Sequence, residues 1–199
     1  AYSRATEVAI LRAPLQDTGA ATVYFAKFIF LQALALLAEH LENESKLAKK
    51  ERKTVKAALR TFGNWSKKMP DNFAAKEALL CAEWEQYLGN EALASRQYEK
   101  AIHLASQNNC LWLHALAWER LGQWYERKRN LSLAQVQLLK ARELWKEWGA
   151  ENKVKQLDQN LTNIQLPNTG FYHSENELSA VLQTAATIVG ALRYEDLLD

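Results

Sequence analysis

Apolar residues recur along most of this chain at steps of three and four, the spacing that gathers them on one face of an α-helix. Breakers and caps divide the pattern into predicted helices near residues 3–12, 20–42, 45–69, 73–88, 91–107, 110–128, 131–148, 150–164 and 174–198. Pro14 with Gly19 closes the first segment, Met69-Pro70-Asp71-Asn72 stops the third helix, and Gly89-Asn90 makes a tight turn. Links this short force successive helices to run antiparallel.

The pattern repeats. Trp118, Leu121, Gly122 and Tyr125 have the W-x2-L-G-x2-Y spacing of a tetratricopeptide first helix, and Ala134, Leu138 and Ala141 have the spacing of its second, with Leu for Phe. The rings share one helical face, while Gly122 and the alanines permit close helix approach. Forty residues earlier, Ala94, Tyr98 and Ala101 repeat the second-helix signature. The step exceeds the usual period of about 34, and the excess is expected to lengthen the helices around His103 to Leu113. The expected fold is all-α: a tetratricopeptide-like solenoid of antiparallel helix pairs, right-handed with a concave inner face, spanning residues 20–166, after an N-terminal segment 1–19 that is partly helical.

After Leu166 the periodicity lapses, so 167–173 reads as a linker and 174–199 as a further helix. Ser174 and Glu177 form a capping box. Leu178, Leu182, Ala185, Val189 and Leu192 make a seam of about two heptads. That seam fits either a homodimer contact or a helix docked on its own solenoid.

Composition supports helices and narrows the partners. Seven Gly and three Pro in 199 residues are too few for the turns of an all-β fold. The net charge of +2 gives no strong overall field for nucleic acid or an anionic bilayer. Val23 to Ala38 is the most apolar stretch, but Lys27 and Gln32 interrupt it, so no membrane span is expected. Cys81 and Cys110 stand apart, which fits two reduced core thiols rather than a zinc site or disulfide framework. The chain opens Ala1-Tyr2-Ser3 without a basic-then-apolar leader, as expected of an internal segment of a larger cytoplasmic protein.

Asn64-Trp65-Ser66-Lys67-Lys68-Met69-Pro70-Asp71-Asn72-Phe73, with Lys76, Ala82-Glu83, Gly89, Tyr98-Glu99-Lys100-Ala101, Ala115-Leu116-Ala117 and the run Trp148-Gly149-Ala150 with Lys153-Val154, resembles the helical region of very large multidomain sensor proteins. In that family a protein-kinase-like domain and an AAA-type ATPase precede the helical repeats. A GAF sensor follows, and a histidine kinase or another signalling output ends the chain. The resemblance covers about residues 20–195 and implies a connector between ATPase and sensor modules, with Glu177 to Leu198 leading into the GAF domain. The sequence departs from the family pattern at Ala82-Glu83-Trp84 and Glu119-Arg120.

No GxxxxGK[ST] run or kinase-loop motif occurs, and His40, His103, His114 and His173 show no metal-ligand spacing. No cofactor, metal or catalytic residue is expected. A protein or peptide partner, or a neighbouring domain of the same chain, would meet the inner face of the first helices: Lys76, Leu79, Glu83 and Gln86 in one repeat, and Leu116, Glu119, Gln123 and Glu126 in the next. An ordinary solvated face fits those positions equally. Trp118 and Trp145 lie on the packing stripes, whereas Trp112 and Trp124 fall off them and could be exposed anchors. Two other functions stay open: a Trp-rich bundle enclosing a small apolar ligand, and a histidine phosphotransfer domain, which would need an exposed histidine.

Overall fold

The structure, a computed structural model, describes residues 23–164. The chain divides into two compact units, 1–164 and 165–199, and all the described residues belong to the first. The expected helices at 3–12 and 174–198, the linker and the heptad seam lie outside them.

Seven helices make up the described region: α1 (Val23–Glu42), α2 (Lys49–Lys68), α3 (Pro70–Tyr87), α4 (Glu91–Gln107), α5 (Leu111–Arg127), α6 (Leu131–Glu147) and α7 (Glu151–Asn163). Successive helices pack against one another, most extensively α3 with α4 and α5 with α6, and the first helices α1, α3 and α5 also touch in series. The fold is an all-α solenoid of helix pairs.

Its regularity comes from the turns. Gly89, Asn109, Arg129 and Gly149 all have positive φ, at 81°, 50°, 59° and 79°, and they stand twenty residues apart. Each is the left-handed residue that ends a helix. Beyond it the N–H groups of Asn90, Cys110, Asn130 and Ala150 donate to the carbonyls of Glu85, Ala105, Tyr125 and Trp145 at 2.8–3.0 Å, which satisfies helix-end acceptors that would otherwise lack partners. Helices α4, α5 and α6 each have 17 residues, and three-residue links complete the step. The long repeat is therefore spread evenly over its helices, and the expected local lengthening at His103 to Leu113 is not found.

One expected break is also smaller than its residues suggest. Only Met69 separates α2 from α3, because Pro70 takes the first helical position of α3. There the missing proline N–H is no loss, since first-turn amides have no intrahelical acceptor.

Small and large residues alternate in the core. Ala94, Tyr98, Ala101 and Ala105 of α4 recur as Ala134, Leu138, Ala141 and Trp145 in α6, all buried. Val55, Phe62 and Ser66 occupy the matching stripe in α2, which makes α2 a second helix like α4 and α6. The consequence for function lies in exposure. No residue of α5 is exposed, nor is any of α3 from Phe73 to Tyr87, whereas α2, α4 and α6 each keep a solvated side.

Candidate functional site

The first helices carry a chain of polar side chains between repeats. Glu83 of α3 is fully buried, and Arg120 of α5 forks it, with Nε 2.7 Å from Oε1 and Nη2 2.6 Å from Oε2. The Tyr98 hydroxyl of α4 donates to the same Oε1 at 2.7 Å and lies 2.8 Å from Gln86 Oε1, which also accepts from Arg127 Nη2 at 3.1 Å. Arg120 Nη1 donates to Gln123 Oε1 at 2.7 Å, and Gln123 Nε2 points to Glu119 Oε1 at 3.4 Å. Glu119, itself buried, accepts from Trp145 Nε1 of α6 at 2.7 Å and from Lys153 Nζ of α7 at 2.8 Å. The network links five helices, α3 to α7.

Burial shapes the electrostatics. It works against charge on the Glu83 carboxyl, but Arg120 and Arg127, with the Arg120 and Tyr98 hydrogen bonds, outweigh it and hold the acid below its ordinary range. Burial and then the Glu83 charge push the Tyr98 phenol well above its usual value. Each group is fixed in its structural protonation state, with Glu83 an ionised acceptor and Tyr98 a donor.

The eight expected partner-binding residues fall into two groups. Leu79, Glu83 and Glu119 are buried, so the expectation of a solvated inner face fails there: α3 and α5 are enclosed by their neighbours, and the two carboxylates are taken up internally. Lys76, Gln86, Leu116, Gln123 and Glu126 are half-buried. Glu126 Oε2 accepts from Asn160 Nδ2 at 3.1 Å. Leu116 packs against both hydrophobic clusters. Lys76 Nζ donates to the Asn72 carbonyl at 2.7 Å, and burial lowers its pKa.

Trp124 is core, stacked on Tyr98 with centroids 5.7 Å apart, so it is no exposed anchor. On a helix enclosed on every side, falling off one stripe means falling onto another. Trp112 is half-buried against Phe30 and lies beneath Lys27 Nζ and Lys76 Nζ, 5.5 and 5.9 Å from the ring centroid. Trp145 is buried as expected, Trp118 is half-buried, and Trp148 is the exposed indole, at 52%.

Cys81 and Cys110 are free and half-buried. Burial, then the Glu77 and Glu85 charges, push the Cys81 thiol up to about 11. No cluster of metal-ligating side chains occurs among the described residues, and none of their helices is long and apolar enough to cross a membrane. The sequence reading missed Arg120, whose partner stands 37 residues away, and the charge of α2, taken up below. The class defined by this architecture is the all-α helix-pair solenoid. No family model and no curated protein matches the chain.

Proposed function

We propose that this chain is a non-catalytic helical-repeat scaffold of the tetratricopeptide type, a protein-interaction module within a larger cytoplasmic signalling protein. There it links an ATPase module to a GAF-type sensor and output domain. The observation that carries this reading is the unbroken twenty-residue register of its turns, reinforced by the buried polar chain from Glu83 to Lys153. Stacked repeats of this kind present extended surfaces whose geometry is fixed by neighbour contacts. The protonation states also support it: Cys81 is held as a thiol and Glu83 is locked in an ion pair, the reverse of an activated nucleophile or base.

The test is a photo-cross-linking amino acid placed singly at exposed Leu93, Leu133 or Trp148 in the protein within its own host. A scaffold traps a recurrent polypeptide, or another domain of its parent, from at least one of these positions. Recovery of self-cross-links alone from all three sinks the reading.

A further inference from the structure

The chain's net charge is +2, yet α2 alone, KKERKTVKAALRTFGNWSKK, carries eight lysines and arginines against one glutamate. The rest of the chain is therefore net negative. Lys49, Lys53, Lys56, Arg60 and Lys67 follow at steps of four, three, four and seven, which puts them in one row along the helix. The row runs for about 27 Å at 1.5 Å per residue. All five residues are exposed, on the side opposite buried Val55, Ala58, Phe62 and Ser66.

Among the described residues little neutralises the stretch from Lys49 to Arg60. Glu51 is engaged at the helix start, where Oε2 accepts from the Ala48 N–H at 2.7 Å and lies 3.1 Å from His40 Nε2. Among the described residues no lysine or arginine of α2 pairs with a carboxylate. The arrangement opposes folding, because Lys49 and Lys53, Arg52 and Lys56, and Lys56 and Arg60 are like charges four apart. Lys49, Lys50 and Arg52 also crowd the positive end of the helix dipole. A partner that supplies negative charge along the row accounts for it.

Two neighbouring features select the partner. The Glu77 carboxylate of α3 comes within 3.3 Å of where a Cβ would stand on Gly63, the position of the row between Arg60 and Lys67, and Glu42 and Glu44 are exposed ahead of the helix. A polyanion longer or broader than the stretch from Lys49 to Arg60, such as a duplex, meets those carboxylates; a short peptide confined to that stretch does not. The nearby aromatic, Trp84, is stacked on Tyr87 and lies beneath Arg52 and Lys56, 5.8 and 5.9 Å from its centroid. No bare ring face is left there for a stacked base, the usual anchor of a single strand.

We propose that the exposed face of α2 is a docking surface for a short acidic protein segment, whose carboxylates pair with the row from Lys49 to Arg60. This rests on the scaffold reading and gives it a partner class.

The test titrates the full chain into labelled poly-glutamate, single-stranded DNA, duplex DNA and phosphatidylserine vesicles, at low salt and at about 0.15 M, where screening shortens the reach of exposed charges to about 8 Å. Poly-glutamate is expected to bind most tightly, and more weakly at the higher salt. Lys53→Glu with Arg60→Glu should weaken it by roughly tenfold or more, about 1.4 kcal/mol, without lowering the melting temperature, because the new carboxylates face Lys49 and Lys56 at helical spacing. Lys53→Gln with Arg60→Gln should give a smaller loss, and Lys140→Glu with Lys146→Glu, on α6, should give little change. Absent poly-glutamate binding, binding indifferent to the α2 reversals, or tighter binding to DNA or vesicles overturns the proposal. Cross-linked partners at Leu93, Leu133 or Trp148 combined with any of these outcomes removes the α2 surface and leaves the scaffold standing.

Discussion

Arg120 holds Glu83 across the boundary between two helix pairs, through paired hydrogen bonds of 2.7 and 2.6 Å with both side chains enclosed. Such a pair adds little net stability compared with an apolar pair of similar volume, but removing one member strands the other charge in the core, at about 3–5 kcal/mol. Arg120→Met should therefore be severely destabilising, and Glu83→Leu with Arg120→Met should recover much of the loss. Urea unfolding of the two variants checks this, and a double variant no better than the single refutes it. The pair also ties stability to pH. Glu83's folded pKa is depressed, so its contribution is complete above the unfolded value of about 4.3 and is lost as pH falls through the lower folded value.

The four repeated turns give a second prediction. Gly89 and Gly149 occupy the left-handed conformation without a Cβ, while Asn109 and Arg129 adopt it with one, and for an ordinary L-residue it costs about 1–2 kcal/mol. Arg129→Gly should raise stability by about 0.5–1 kcal/mol once glycine's greater unfolded-state entropy is subtracted. Asn109→Gly should gain less, because asparagine tolerates this region better. Gly89→Ala should lower stability. Denaturant midpoints order the three, and a destabilised Arg129→Gly would show that the Arg129 side chain matters more than its backbone.

Much of this regularity is legible in the sequence. Glycine or asparagine near each turn placed the helix at 91–107 to the residue, and the small-large alternation around Tyr98 and Leu138 marked the core stripes correctly. The side of the stack open to a partner was not legible. Glu83, Glu119 and Gln123 have the spacing of a solvated stripe, and only the third dimension brings Arg120, Trp145 and Lys153 onto them. The row on α2 could have been found by summing charge over single helices. The near-neutral total hid it, because acidic residues elsewhere offset it.

His114 provides a pH prediction in a different window. Its Nε2 accepts the Trp118 indole N–H at 3.0 Å, which requires that nitrogen to be unprotonated. Burial, then the Lys140 charge, lower its pKa. A histidine depressed in the fold contributes stability above its unfolded value, about 6.5, and loses it as pH falls through the folded one. Acidification from neutrality should therefore lower the melting temperature of the parent more than that of His114→Gln, which keeps an acceptor that does not titrate. Equal shifts in both proteins would assign the acid sensitivity elsewhere.

Gly122 sets helix propensity against packing. Taken alone, Gly122→Ala should favour α5 by about 1 kcal/mol. In the stack, however, the added Cβ would stand 2.7 Å from Cγ and Cδ2 of Leu138, and 3.2 Å from its backbone nitrogen. Leu138 is fully buried between Ala134 and Ala141, so its side chain has little room to retreat, and overpacking of this kind costs about 1–3 kcal/mol. The clash should win, leaving Gly122→Ala less stable than the parent. Shortening Leu138 to Ala costs about 2–5 kcal/mol alone through the cavity it leaves, but it removes the obstacle. In that background Gly122→Ala should become neutral or stabilising, so the two changes couple by at least about 1 kcal/mol in a double-mutant cycle. Additive effects would mean that the α5–α6 contact relaxes at little cost and that Gly122 is there for some reason other than close packing.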